Sequence, residues 1–280
     1  METSSKHVYE YTVDPGSKTA PAYVVQLVGP SKRVLEIGCG PGSITRMLVQ
    51  QGRCKVTGLE LDMTAIEKAA PFCEVIMQAD LNSTEWPRLL ADALPFDVVV
   101  AADVLEHLYD PWKTLKQMIP FVGPDGCLVI SLPHVGHAAV ASCLVNGDFD
   151  YRDWGLLDRT HIRFFGLRNI EALFAQADLK IIDVKYVIKP PEETEFAASW
   201  SQLSLAVQDA LKSSHHSNIY QVVVKAVPLS YPGIAVPLAQ PPQSTAITRA
   251  PTWKSHIVRY LSHKTKQRIR MGLRLLRIRI

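Results

Sequence analysis

The chain has 280 residues, 47% of them hydrophobic and 20% charged, enough to bury one substantial core and too apolar for pervasive disorder. Its net charge of +3 conceals an asymmetry: residues 251–280 hold nine Lys and Arg and no acid, while the remainder carries 21 basic and 27 acidic side chains, a balance of −6. A mildly acidic body argues against nucleic acid as a partner, no apolar run reaches the ~20 residues of a membrane span, and METSSKHVYEY lacks a signal-peptide core, so a cytoplasmic protein is expected.

In chain order, an N-terminal segment at 1–29 ends in a helix near 20–28, and a strand at 33–38 runs into the stretch VLEIGCGPGSIT and a helix at 43–51. Val34, Leu35 and Ile37 supply a buried strand, and Gly38, Gly40 and Gly42 remove Cβ atoms where a ligand must lie against the backbone. The spacing is G-x-G-x-G behind Glu36; a dinucleotide loop would place its third glycine at Ser43. An acid there repels phosphate and suits a ligand with ammonium and sulfonium charges, as S-adenosylmethionine has. Glycine-rich turns also serve plain strand-to-helix packing, so the loop by itself decides nothing and takes its weight from the strand-end acids further along the chain.

Further strands are predicted at 54–60, 74–78, 96–101 and 126–132, with helices at 63–70 and 104–118. Strands alternating with helices imply right-handed crossovers and a parallel sheet covered on both faces. Residues 133–166 read as a long irregular segment rich in His and Arg, followed by a helix at 168–177, a strand at 179–188, a helix at 197–212 and a strand at 218–227. Six prolines from Pro228 to Pro251 predict an extended linker, and 252–280 a basic amphipathic tail. As a helix the tail sets Arg259, Lys266, Arg270, Arg274 and Arg277 beside an apolar stripe of Val258, Ile269, Leu273, Leu276 and Ile280, which fits peripheral contact with anionic lipid at the inner membrane surface, or a solvated or partner-binding tail. The five cysteines form no C-x-x-C pair and read as reduced core thiols rather than metal ligands.

Four landmarks over roughly 30–227 resemble the class I S-adenosylmethionine-dependent methyltransferases: ExGxGxG at Glu36–Gly42, VTGLELD, QADLN and DVVVAADVLEHLYDP. The resemblance implies an α/β fold, a Rossmann-like doubly wound, seven-stranded, mostly parallel sheet with an antiparallel last strand. It also implies S-adenosylmethionine at Glu36, Gly38, Gly40 and Gly42, its ribose diol at Glu60 beside Leu61, and its adenine at Asp80 and Leu81. The methionine end would then be lined by Asp103, Val104 and His107. Each residue has a plainer role open to it: Glu60 as a solvated strand-end acid, Asp80 as a turn former, Asp103 as a helix N-cap, His107 as a satisfied helix histidine. A narrower similarity, in LPHVGH and GDFDYRDWGLLDRTHIRFFGLRNIEALFAQADL, is to the small-molecule methyltransferases of the ubiquinone-biosynthesis group and of bacterial polysaccharide and secondary-metabolite pathways.

Methyl transfer from an activated sulfonium needs in-line alignment, plus proton removal when the acceptor is a hydroxyl, and requires no metal. The candidate bases are His161 and His134, each of which could instead hold the irregular segment by a structural hydrogen bond; His137 is a weaker candidate. Arg159 and Arg163 either bind an acidic acceptor or pair with Asp150, Asp153 or Asp158, and Tyr9 and Tyr11 either close over the cofactor or pack. The expected activity is O-methylation of a small acceptor such as a sugar, a phenol or a biosynthetic intermediate, or of a lipid-linked acceptor at a membrane. The rival classes are a nucleotide-cofactor oxidoreductase and a non-catalytic cofactor-binding scaffold. The sequence says nothing of oligomeric state.

Overall fold

The computed structural model describes residues 10–238; the tail, the linker beyond 238 and Tyr9 lie outside the described residues. Seven strands, β1 (Arg33–Ile37), β2 (Lys55–Glu60), β3 (Val75–Gln78), β4 (Phe96–Ala102), β5 (Val122–Pro133), β6 (Leu179–Ile188) and β7 (Ile219–Pro228), form one sheet in the order β3-β2-β1-β4-β5-β7-β6. All neighbours from β3 to β5 pair parallel, and β7 alone runs antiparallel, between β5 and β6. The expected topology is therefore present, including the reversed last strand.

The central strands are nearly continuous apolar runs because both faces are buried. Leu35, Ile37, Val99, Ala101, Leu128 and Ile130 point into one layer of core, and Val34, Val98, Val100, Val129 and Val223 into the other, none more than 2% exposed. Helix α1 (Ala20–Val28) covers the second layer with Ala20, Val24, Leu27 and Val28. The helix α2 (Ser43–Gln50) starts directly from Gly42, and α3 (Met63–Ala69) is capped by Asp62, which accepts from the amides of Thr64 and Ala65 at 2.7 and 3.0 Å.

Three expectations change in detail. The helix predicted at 104–118 is broken: Leu105–His107 form a single 3-10 turn and α4 spans only Pro111–Met118. Pro111 cannot continue a preceding helix but suits a first helical turn, and Asp110 caps that turn by accepting from the Lys113 amide at 3.0 Å. The segment read as irregular contains α5 (Ala138–Val145), capped by His137. The helix predicted at 197–212 is two, α7 (Ala197–Ser201) and α8 (Leu205–Lys212), both following α6 (Leu167–Ala175) and β6. Beyond β7 the chain stays on the domain as far as Leu238, whose amide donates to Glu171 Oε1 at 2.6 Å and whose carbonyl accepts from the Tyr186 hydroxyl.

Candidate active site

The carboxyl ends of β1, β2, β4 and β5 open into one cleft of about 650 Å3. In open α/β sheets this edge is where ligands bind. The glycine loop forms its floor. Gly38, Gly40 and Gly42 all have φ between +53 and +82. A Cβ on Gly38 would stand 2.7 Å from Val104 Cγ2 and one on Gly42 3.0 Å from Ala69 Cα, so these two glycines let the loop pack on its neighbours. Gly40 differs: among the described residues nothing lies within 4 Å of its missing Cβ, which leaves bare backbone facing the cleft.

Acids ring the loop. Glu36 is 2% exposed and accepts from Thr45 Oγ1 at 2.6 Å; burial lifts its pKa from 4.5 to about 7 against that hydrogen bond, with Glu60 adding a smaller upward push. Glu60 Oε2 accepts from the Gly40 amide at 2.8 Å, and its Oε1 accepts from the amides of Leu61 and Asp62 at 2.8 and 3.0 Å. The carboxylate thus already ties the glycine loop to the end of β2. Asp80 accepts from the Asn82 amide at 2.9 Å, with Leu81 half-buried beside it, and both line the cleft.

The other end of the cleft is built from the exit of β4 and from residues 155–161. Asp103, at φ +54, accepts from Ser131 Oγ at 2.7 Å and from Gln221 Nε2 at 2.9 Å; burial raises its pKa against both bonds. Val104 packs on Gly38. Thr160 Oγ1 gives its one proton to Asp158 at 2.6 Å and so must accept from His107 Nδ1 at 3.1 Å.

His161 lies against His107, ring centroids 4.7 Å apart, and is 8% exposed. Burial first, and the neighbouring His107 second, push its pKa down to about 4, so the ring is neutral at neutral pH. Its Nε2 is 3.9 Å from Glu106 Oε1. Glu106 is fully buried, and among the described residues neither of its carboxylate oxygens has a hydrogen-bond partner, nor has His161 Nδ1. Burial and the adjacent Asp103 drive the Glu106 pKa well above the ordinary carboxylate range. An orphaned buried carboxyl costs of order 1–3 kcal/mol or more, which a fold tolerates where the group has a use. Glu106, His107 and His161 each offer one ligand atom within 4.8 Å of the others, a set that could hold a divalent cation.

All the residues expected to bind cofactor, Glu36, Gly38, Gly40, Glu60, Leu61, Asp80, Leu81, Asp103, Val104 and His107, line this one cleft, save Gly42, which turns the loop from behind. His161 and Tyr11 line it too. His134 does not: its Nδ1 faces the Ile219 carbonyl at 3.1 Å and the ring is 3% exposed, so it ties β5 to β7 rather than meeting an acceptor. His137 is spent as well, accepting from the Ala139 amide and donating to the Lys189 carbonyl. Arg159 pairs with Asp153 at 3.1 Å, and Arg163 donates to the Tyr109 carbonyl; no Lys or Arg lines the cleft among the described residues. Reasoning from sequence missed Glu106, Asp158, Tyr220 and Gln221, all cleft residues. The Glu106–His107 pair is visible in the sequence, but the helix expected at 104–118 does not form there; a single 3-10 turn buries Glu106 instead.

The model of one family, described as a methyltransferase domain, matches residues 18–184, more than half of the chain. The chain belongs to that family. It is an S-adenosylmethionine-dependent methyltransferase. Among curated proteins this methyltransferase is similar to the ubiquinone biosynthesis O-methyltransferase of Coxiella burnetii (strain RSA 493 / Nine Mile phase I), 23% identical over 198 residues that make up 66% of this chain and 84% of the other. A second relative of the same name, from Psychrobacter cryohalolentis, is 29% identical over 138 residues, 46% of this chain and 51% of its own. Among solved structures, a Bacillus halodurans C-125 protein assigned to the methyltransferases aligns over 74% of this chain and 97% of its own at 14% identity, with a TM-score of 0.50, a likeness of fold alone. No described helix of the methyltransferase is long and apolar enough to cross a membrane.

Proposed function

We propose that the methyltransferase O-methylates a small-molecule hydroxyl acceptor that enters the cleft over His107, His161 and Leu156. The observation that carries this reading is the buried pair of Glu106 and His161, which line the acceptor end of the cleft with polar atoms that have no hydrogen-bond partner among the described residues. The names of the ubiquinone-biosynthesis relatives support it from outside.

The residues fit the cofactor: bare backbone at Gly40, an acid for the cationic end at Glu36, a diol acceptor at Glu60 and an adenine reader at Asp80. S-adenosylmethionine when bound supplies a methyl group on a positively charged sulfur. The protein's part is to align the acceptor oxygen and relieve it of its proton. His161 takes that proton and Glu106, 3.9 Å away, stabilises the imidazolium that results. The absence of Lys and Arg from the cleft lining, among the described residues, favours a neutral acceptor over a phosphorylated or carboxylated one.

A second reading rests on the same cluster, in which a divalent cation held by Glu106, His107 and His161 lowers the acceptor hydroxyl's pKa instead. The basic tail at 251–280 supports an acceptor presented at an anionic membrane, where about 1 kcal/mol per Lys or Arg would hold the protein reversibly.

The test is turnover of phenolic and sugar hydroxyl acceptors, followed as S-adenosylhomocysteine released. His161→Ala should keep cofactor affinity and lose about 10² to 10⁴ in turnover. Normal turnover in that variant refutes the base. Manganese binding followed by electron paramagnetic resonance, lost in Glu106→Gln, would decide for the second reading.

A further inference from the structure

Two thiols that the methyl-transfer chemistry does not use meet beneath the cofactor loop. Cys39 is the second residue of the G-x-G-x-G turn; it lines the cleft, and its amide and carbonyl are both held, to Leu59 O and from the Gly42 amide at 3.1 Å each. Cys73 lies 34 residues on, at the end of the short turn Ala70–Phe72 that leads from α3 into β3. The two side chains converge on one point of β2: a Cβ at Gly58 would sit 3.1 Å from Cys39 Sγ and 3.2 Å from Cys73 Sγ. Only glycine at 58 leaves the two sulfurs this shared space.

The two ends of the pair are unlike. Cys39 is 6% exposed, whereas Cys73 is half-buried and reachable from solvent. The interaction between the two thiols pulls Cys73 below its ordinary value and, with burial, pushes Cys39 up. Thiolate character and exposure on one partner, a sheltered thiol on the other, is the arrangement in which a first oxidation is followed by resolution to a disulfide. Cys54, Cys127 and Cys143 are buried, and nothing in the structure brings any of them to this pair.

We infer that Cys39 and Cys73 form a modification site at which a hydroperoxide closes a disulfide across Gly58 and so switches the cofactor loop. The Cys73 thiolate attacks the peroxide's outer oxygen, breaking the O–O bond; one alcohol or water leaves, and Cys73 becomes a sulfenic acid. The Cys39 sulfur then displaces that hydroxyl as water, forming the S–S bond. Two electrons pass from the thiols to the peroxide, and a dithiol reductant reverses the step by exchange. Joining the sulfurs draws Cys39 toward β3 between Gly38 and Gly40, two residues whose positive φ angles set the shape of the loop. The oxidised protein therefore binds S-adenosylmethionine more weakly.

The effect on affinity rests on placing the cofactor at this loop, and the experiment separates the two. Full-length protein is treated with hydrogen peroxide or with dithiothreitol, digested under alkylating conditions and mapped by mass spectrometry, and S-adenosylmethionine affinity is measured by calorimetry on both forms. A peptide joining Cys39 to Cys73, together with an affinity about tenfold weaker that dithiothreitol restores, is the expected result. Cys73→Ser, outside the cleft lining, should bind cofactor like the reduced wild type and be indifferent to peroxide; Cys73→Ala serves if the serine does not fold. Failure to find the joined peptide, or finding it with affinity unchanged, overturns the inference. If the reduced wild type binds cofactor but Glu60→Ala binds it equally well, the fault lies with the placing of the cofactor and the disulfide mapping still stands as its own test.

Discussion

Glu36 offers the sharpest physical test of the cofactor site. Its carboxyl is buried, keeps a 2.6 Å bond from Thr45 Oγ1, and has its pKa raised from 4.5 to about 7, chiefly by burial. Between those two pH values the folded protein holds a proton that the unfolded chain has released, so stability falls as pH rises through this window and is level above it. That interval, at about 1.4 kcal/mol per pH unit, amounts to about 3 kcal/mol. Glu36→Gln keeps the shape and the acceptor for Thr45 but cannot ionise. Urea unfolding of wild type and variant without cofactor, at a series of pH values, isolates this group because the other titrations cancel in the difference. Relative to wild type, the variant should gain about 3 kcal/mol between pH 4.5 and pH 8. Cofactor affinity should respond the opposite way: in the wild type it strengthens as pH rises through 7, because the ionised carboxylate faces a cation, and in the variant it is flat. A stability difference independent of pH would show that Glu36 titrates at its ordinary value and would refute the raised pKa, whereas a wild-type affinity that weakens as pH rises through 7 would refute a cation bound beside it.

Glu60→Ala removes three amide-to-carboxylate bonds at the loop as well as the proposed diol acceptor, and should weaken S-adenosylmethionine binding by about 1.5–3 kcal/mol in calorimetry; unchanged affinity would remove Glu60 from the site. Gly38→Ala sets a Cβ 2.7 Å from Val104 at a φ of +67, and thermal unfolding should report about 1–3 kcal/mol lost, with cofactor affinity falling too. Gly40→Ala, with open space at its Cβ, should by contrast cost only the backbone term of about 1–2 kcal/mol, most of its harm appearing in cofactor binding.

The parallel half of the molecule was legible because each of its parts has a local cause. Apolar stretches such as Val34 and Leu35 with Ile37, and Val98–Ala101, must be buried on both faces, and three glycines after a strand have few uses. The acceptor end was harder to read. Asp103 looked like the N-cap of a helix through 118, yet Asp110 and Pro111 start that helix and leave Glu106 in a tight turn, buried among groups distant in sequence. His134 and His161 look alike in sequence; one is 3.1 Å from the Ile219 carbonyl and the other has no partner at Nδ1, a difference made by tertiary packing alone. Helix α5, AAVASCLV, carries too little polar contrast to announce a buried face. Nothing local marks Tyr220 and Gln221, which reach the cleft because β7 begins there.

That reversed strand has a consequence for how the enzyme is made. Synthesis delivers β1 to β5 and β6 first, yet β7, the last of all, takes the place between β5 and β6. Until residue 219 has left the ribosome those two strands have no neighbour to join them, and Asp103 lacks the amide of Gln221 that shares its charge. The strand ends from Glu36 to Asp80, proposed above to hold the cofactor, can assemble early, as N-terminal units do. The acceptor end is completed only when the domain itself is complete, so an unfinished chain could hold a methyl donor but has no finished place to spend it.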